Sequence, residues 1–419
     1  MVCMREKTFE IMSPAGSWET LNAAIKGGAD AVYFGIEQLN MRARAANNFK
    51  ISELKEIVDH CNKHHVKTYL TLNTILYDHD IPLMKKICDE AKKCGVTAAI
   101  TCDLAGIMYA HSIGLEVHIS TQQNISNIEQ VKFFSTYADV VVLARELTIK
   151  QIQHICDEIK KQNIRGPKGN LVEVEIFVHG ALCVAISGKC FMSLATQNAS
   201  ANRGACLQNC RRSYRVIDEE TNEELVLENK YIMSPKDLCT VGFLDKLLPT
   251  GIRVLKIEGR GKSADYVYTV TKVYKEAAES VQNGTFSKEK VDEWMKQLET
   301  VHNRGFWKGG YYMGKKLGEW SGTYGSQATK EKISIGVGMK YFAKTKIGEF
   351  LLESGNVSVG DEVWITGPTT GIIQTQVTEL FSDGKPCTTA GKGESITFPV
   401  NEKIRKSDKL FLVVNKTHA

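Results

Sequence analysis

From residue 8 to about 260 the chain alternates short apolar runs of β character with segments whose apolar positions repeat every three to four residues. Eight such runs stand out: "FEIMSPAG", "AVYFG", "KTYLTLNT", "AAITCD", "EVHISTQQN", "DVVVLARE", "VEIFVHG" and "RVLKIEGR". Helical patterns lie between most of them. "SWETLNAAIKGG" has Ser17 placed to cap a helix and Gly27 near its stop, and "SELKEIVDHCNKHH" shows the same texture. Eight strand-helix units predict an α/β fold closed into a (β/α)8 TIM-like barrel. A doubly wound open sheet is the competing layout, but no G-x-G-x-x-G follows the first strand, so its dinucleotide-binding version lacks support.

One connection breaks this rhythm. Between "VEIFVHG" and "RVLKIEGR", the seventh and eighth predicted strands, lies an insertion far longer than an ordinary loop and helix, and its part from about 181 to 240 is rich in cysteine. After the eighth strand come a long helical pattern, "SADYVYTVTKVYKEAAESVQ", and a run of glycine, aromatic and lysine residues, "NRGFWKGGYYMGKKLGEWSGTYGS". Beyond Thr329 the texture becomes alternating strands with turn signals. The expected organisation is therefore a barrel over 1–329 and a small C-terminal β-barrel over 330–419.

Composition narrows the chemistry. At 419 residues and 43% hydrophobic content the chain can bury a full core, yet no apolar run reaches the ~20 residues that span a bilayer. The start "MVCMREKTFEIMSPAG" lacks the long apolar core of an export signal, so a cytoplasmic protein without a membrane partner is expected. Its 12 cysteines should then be reduced thiols, and a clustered subset points to a metal. The net charge of +5 permits a nucleic-acid partner without requiring one.

Five cysteines are clustered: Cys183, Cys190, Cys206, Cys210 and Cys239, separated by six, fifteen, three and twenty-eight residues. Four thiolates suit structural zinc or an iron-sulfur cluster, and spacing alone leaves the two even; the absence of a C-x2-C knuckle weakens a zinc ribbon. Arg203, Arg211, Arg212 and Arg215 nearby would offset thiolate charge or pair with phosphate.

Reactive groups of a barrel gather at the C-terminal ends of its strands, which selects Asn73, Gln122, Gln123, Glu146, His179 and Glu258. Of these, Asn73, Glu146 and His179 are candidate catalytic groups, while Gln122 and Glu258 are candidate substrate contacts. "EGRGKS" closes the eighth strand and opens a helix. It is no Walker A loop, because Lys256 occupies the position that needs the first glycine, but Arg260 and Lys262 beside Gly259 and Gly261 would suit an anion. Arg42 and Arg44 follow the second strand and are expected to face the same mouth. The run "RGFWKGGYYMGKK" offers either stacking faces for RNA or packing at the junction of the two domains. H-E-x-x-H and G-x-S-x-G are both missing, and a Cys-His hydrolase using His179 is the hydrolytic alternative.

The segments "SPAG", "GADAVYFG", "RARA", "TLNT", "HGALCVAISGKCFMS", "SANRGACLQNCRRSY", "SPKDLC" and "KIEGRGKSADYV" occur in order and closely resemble the collagenase-like peptidase family 32 of unknown catalytic type, over about residues 8–325. Several members of that family are hydroxylation factors. The resemblance implies prephenate-dependent 5-hydroxylation of the tRNA wobble uridine, with hydroxylation of ribosomal RNA, peptidase activity or a non-catalytic metal-stabilised RNA-binding scaffold as alternatives. It also implies a 4Fe-4S cluster in preference to zinc. Carried over by motif, the ligands would be Cys183, Cys190, Cys206 and Cys239, with Cys210 as rival for one position. Arg203 beside "RGAC" would meet an anionic substrate, and Arg42 and Arg44 would pair with phosphate or with the carboxylates of prephenate.

Overall fold

A computed structural model describes residues 9–44, 47–215, 217, 219–222, 233–315, 319–323 and 325–416. Cys3, and Lys316, Leu317, Gly318 and Tyr324 of the aromatic run, lie outside these.

The eight apolar runs become eight parallel strands. In chain order the first half of the molecule is β1 (Glu10–Pro14), α1 (Trp18–Lys26), β2 (Ala31–Phe34), α2 (Leu54–Lys63), β3 (Lys67–Leu72), α3 (Ile81–Cys94), β4 (Ala98–Thr101), α4 (Leu104–Ser112), β5 (Glu116–Ile119), α5 (Ile128–Ser135), β6 (Val140–Val142), α6 (Ile149–Lys161) and β7 (Glu173–Gly180). The insertion follows with α7 (Met192–Gln197) and β8 (Asp237–Cys239), and then α8 (Leu244–Leu247) and β9 (Val254–Ile257). β9 is the eighth strand of the barrel. It pairs in parallel with β1 through Glu10↔Val254 and with β7 through Glu175↔Val254, which closes the sheet and rules out the open layout.

Local sequence explains the helices. Ser17 accepts from the Thr20 backbone N–H in a reciprocal capping box, and Gly27 ends α1. α2 buries Leu54, Ile57, Val58 and Cys61, a spacing that lays one stripe against the strands. Burial pushes the Cys61 thiol up to about 12, as expected of a cysteine that serves as a small apolar residue.

After β9 run α9 (Ala264–Gln282), α10 (Lys288–Glu299) and β10 (Phe306–Lys308). β8 and β10 extend the sheet beside β7: β8 is antiparallel to β7 and parallel to β10. The C-terminal unit comprises β11 (Lys330–Phe342), β12 (Ile347–Leu352), β13 (Asn356–Ser358), β14 (Glu362–Gly367), β15 (Gly371–Gln376), β16 (Phe381–Ser382), β17 (Lys385–Pro386), β18 (Thr389–Gly391), β19 (Ser395–Pro399) and β20 (Lys409–Asn415). Eight of these form one antiparallel sheet around a core of its own that includes Phe350, Phe398, Val363 and Leu410. It rests on α1 and α9. Asn22 Nδ2 donates to the Pro368 carbonyl at 2.7 Å, and Lys332 pairs with Asp265 at 2.5 Å. Gly371, at φ +65°, lies so close that a Cβ there would come within 2.9 Å of the Ala23 nitrogen. Among the described residues no helix is long and apolar enough to cross a membrane.

Candidate functional site: a cationic barrel mouth beside four thiols

The C-terminal ends of the strands surround a cavity of about 350 Å3. Its walls are set by a few buried polar side chains. Asn40, fully buried after β2, donates to the Ile36 carbonyl and accepts from both the Arg42 backbone N–H at 3.0 Å and Arg260 Nη2 at 2.9 Å. Arg260 Nη1 donates to Thr71 Oγ1 at 3.0 Å, so the second, third and eighth strands share one guanidinium. Burial lowers Arg260 to about 10, which still leaves it charged at neutral pH.

Glu258 faces this group. Its Oε1 accepts from Arg42 Nη2 at 2.8 Å and its Oε2 from the Tyr33 hydroxyl at 3.3 Å. Burial would raise its carboxyl, but Arg42, Arg145 and Arg260 outweigh that and hold it at about 2. Lys256 donates to Glu175 at 2.6 Å on the barrel axis and lies over the rings of Tyr33 and Phe177. Arg145 stacks on Phe177, 3.9 Å from its centroid, and donates to the Ala181 carbonyl, while its buried Nε has no acceptor among the described residues. Glu258 is the only Asp or Glu among the lining residues, against the basic side chains of Arg42, Arg145, Lys256, Arg260 and Lys262 from the barrel and Arg211 and Arg304 beyond it. Such a cavity concentrates anions.

The cysteine segment covers one side of the mouth. Cys183, Cys206 and Cys210 line the cavity, and Cys190 stands beside them. Cys183 and Cys206 are near enough to oppose the ionisation of Cys190 and of Cys210. At Cys210 burial raises the thiol, Arg211 lowers it, and Cys183, Cys206 and Cys190 raise it again. Cys239 is elsewhere. It lies in β8, paired in register with His179, its Sγ 3.7 Å from Met295 Sδ and 3.9 Å from the Tyr274 hydroxyl, and burial pushes it up to about 11. The structure thus puts Cys210, rather than Cys239, with the other three. All described cysteines are free thiols, and among the described residues no three His, Cys, Asp or Glu side chains stand ready to hold a metal ion. The four-thiol donor set has the chemistry of a site for a thiophilic group, but its sulfurs would have to draw together to bind one.

The other predicted residues divide. Asn73 and Gln122 line the cavity, Asn73 accepting from the Met41 backbone N–H at 3.1 Å and Gln122 accepting from Ser120. Gln123 instead donates to the Cys102 carbonyl. Glu146 is exposed, and it is the preceding Arg145 that turns inward. Arg203 pins the insertion to the loop after β3, pairing with Asp80 at 2.5 Å, donating to the Ile75 carbonyl and stacking on Tyr77, and it is not in the lining of this cavity. Arg42 and Arg44 part company: Arg42 enters the main cavity and Arg44 faces two neighbouring ones. His179 is not in the lining. Its ring sits among Tyr274, Tyr266 and Phe306, with Nδ1 3.3 Å from the Tyr274 hydroxyl, and burial holds it near 3 and therefore neutral. A bulge explains this placement. Glu175 and Phe177 face inward, and the register against β9 slips between Phe177 and His179, which turns the histidine toward α9. The aromatic run is also committed to packing, with Trp307 fully buried and the Tyr312 hydroxyl donating to the Phe177 carbonyl at 2.6 Å. It packs on β7 and β8. Arg145 and Lys256, missed in the sequence, were marked only by their positions in strand-end runs.

Relatives match this chain over differing shares of their own lengths. A protein named collagenase from Porphyromonas gingivalis (strain ATCC BAA-308 / W83) is 54% identical over 97% of this chain and 98% of its own. The tRNA hydroxylation protein P1 of Bacillus subtilis is 33% identical over 70% of this chain and 69% of its own. The 23S rRNA 5-hydroxycytidine C2501 synthase of Escherichia coli is 36% identical over 65% of this chain but only 39% of its own. The pattern of Peptidase family U32 matches residues 16–322, which hold every barrel strand after β1 together with the cysteine insertion, and the chain belongs to that family.

Proposed function

We propose that this protein is an RNA hydroxylation factor that acts on the tRNA wobble uridine, with a small dicarboxylate, prephenate, as co-substrate and a 4Fe-4S cluster held at the cysteine segment. The observation that carries this reading is the cationic mouth, where seven basic side chains and one carboxylate adjoin four neighbouring thiols. Guanidinium groups that are already oriented suit carboxylates and phosphates. Arg145, with an unused buried Nε, and Arg42 and Arg260, fixed by Glu258, Asn40 and Thr71, would bind and orient the dicarboxylate. Cys183, Cys190, Cys206 and Cys210 would hold the cluster, which supplies electron transfer or Lewis acidity when bound. Lys262, half-buried and lowered to about 8 by burial and then by Arg304, would hold or release a proton near neutral pH. The hydroxylation relatives support the RNA substrate.

The collagenase-named relative favours a second reading, a peptidase. A thiol hydrolase needs a base within reach of its nucleophile. Among the described residues no histidine lines the cavity, and the thiol in register with His179 is the fully buried Cys239. Deletion of the gene, followed by nucleoside analysis of tRNA and ribosomal RNA digests, decides between them. Loss of hydroxyuridine-derived nucleosides from tRNA is expected; unchanged nucleosides in both pools, with collagen cleavage by the purified metal-free protein, would establish the peptidase.

A further inference from the structure

Two further cavities flank the main one, and each shares wall residues with it. The first, of about 390 Å3, lies between the turn from β1 to α1 and the loop after β9; Arg260, Gly261 and Lys262 face both it and the main cavity. The second, of about 510 Å3, lies beside the cysteine segment, and Gln208, Arg211 and Arg304 face both it and the main cavity. Arg44 belongs to both flanking cavities and not to the central one. A strip of cations therefore runs along the rim.

The charge on this strip is one-sided. The first flanking cavity holds Arg44, Arg260 and Lys262, the second Arg44, Arg211, Arg212 and Arg304, and neither has an Asp or Glu in its lining. Arg44 and Lys262 have no side-chain hydrogen bond or ion pair among the described residues, and the one recorded contact of the Lys262 ammonium is the face of Tyr266. Burial lowers Lys262 to about 8, Arg304 and Arg211 push the same way, and Asp237, which pairs with Arg304 at 3.5 Å, and Glu258 oppose them from outside the two cavities. The first cavity is also rigidly built. Arg260 is 5% exposed and fixed by Thr71 and Asn40, and a Cβ on Gly16 would fall 2.2 Å from the Arg260 carbonyl oxygen. Only glycine lets the two loops meet so closely. The start of α1, capped by Ser17, adds backbone N–H donors at the same edge.

We propose that the two flanking cavities are phosphate subsites on a track for single-stranded RNA, with Arg44 spanning them, so that the nucleotide between presents its base to the main cavity. This rests on the RNA reading above and adds to it a path for the strand. A free phosphate would need one cavity; a strand accounts for two that share an arginine and open on a common centre. Backbone contacts of this kind position the strand, and the central cavity would distinguish the base.

Fluorescence anisotropy of the full chain with a labelled RNA hairpin, titrated from about 50 to about 300 mM KCl, tests the track. Arg44→Ala and Arg212→Ala are each expected to weaken binding roughly three- to tenfold near 100 mM salt and to lower the salt slope by about 0.7, while Arg44→Lys keeps the slope. Unchanged affinity and slope in both alanine variants would overturn the proposal, as would no hairpin binding by the unaltered protein. Displacement of the hairpin by uridine monophosphate or by an acidic peptide at equal concentration would overturn it too, since a single-anion or peptide site would then suffice. A confirmed track in a protein whose deletion leaves tRNA nucleosides unchanged would retain RNA binding and remove the hydroxylation reading.

Discussion

Arg42, in the loop after β2, donates to the carboxylate of Glu258, just past β9, at 2.8 Å, so the ends of two strands far apart in sequence are tied by one ion pair at the cavity wall. The pair does more than join loops. Glu258 is the counter-charge that allows Arg42, Arg145 and Arg260 to stand together, and those guanidiniums in turn hold its carboxyl near 2.

Glu258→Gln keeps the shape and removes the charge. Breaking a buried pair leaves an uncompensated ion, at a cost of about 3–5 kcal/mol. Because the folded-state value lies below the ordinary 4.5, the stabilisation is present above about pH 4.5 and is lost as pH falls toward 2. Thermal melts between pH 2 and 6 should fall more steeply for the natural protein than for the glutamine variant. Parallel melting curves would show that Glu258 carries no such charge coupling.

The barrel axis predicts the opposite slope. His118, 1% exposed, has Nδ1 3.5 Å from Glu175 and Nε2 3.6 Å from Glu116, with the Tyr69 ring packed alongside. Burial would lower it, but the two carboxylates prevail and raise it from 6.5 to about 9. Its contribution, on the order of 3 kcal/mol, is therefore complete below pH 6.5 and lost as pH rises through 9. Urea unfolding across pH 6–10 should record that loss, and His118→Gln should flatten it. A natural protein whose stability is level over this range would refute the charged imidazolium.

The cysteine segment separates two ligand sets that the motifs left open. Cys183→Ser, Cys190→Ser, Cys206→Ser and Cys210→Ser are each expected to lower bound iron sharply in anaerobically purified protein, whereas Cys239→Ser should retain it, because Cys239 lies in β8 against Met295 and Tyr274. Iron analysis with electron paramagnetic resonance reads the outcome. Full iron in Cys210→Ser together with loss in Cys239→Ser would restore the set carried over by resemblance.

The aromatic run should register in stability and leave RNA affinity alone. Trp307 is fully buried beneath Tyr311, and Gly310 packs against it. Trp307→Ala is expected to cost about 3–5 kcal/mol in urea unfolding. If stability is kept and hairpin binding lost, the ring is a stacking face after all.

Periodicity made the barrel readable because parallel strands buried on both faces are apolar runs, and all eight runs from "FEIMSPAG" to "RVLKIEGR" hold a barrel strand. β8 (Asp-Leu-Cys) and β10 (Phe-Trp-Lys) escaped because neither sits in a continuous apolar run, unlike the equally short β6 (Val-Val-Val). The cavity was readable only in outline. Strand-end position located Asn73, Gln122 and Glu258, but direction depends on register. One bulge turned His179 away, and one step along the β6 end exchanged Glu146 for Arg145.

That exchange can be tested at neighbouring positions. Arg145 and Glu146 share the turn after β6, but only one of them faces the centre. Arg145 does, stacked on Phe177 and tied to the Ala181 carbonyl, with its buried Nε free of any described acceptor; Glu146 is exposed beyond it. A hydrogen bond to a charged group contributes about 1.5–3 kcal/mol, so Arg145→Ala should weaken calorimetric binding of prephenate by roughly tenfold or more. Arg145→Lys should recover little, since an ammonium lacks the planar fork of the guanidinium. Glu146→Ala should leave affinity and melting temperature nearly unchanged, as expected for an exposed position. The reverse pattern, with Glu146→Ala damaging and Arg145→Ala silent, would mean that the dicarboxylate does not bind at this wall of the cavity.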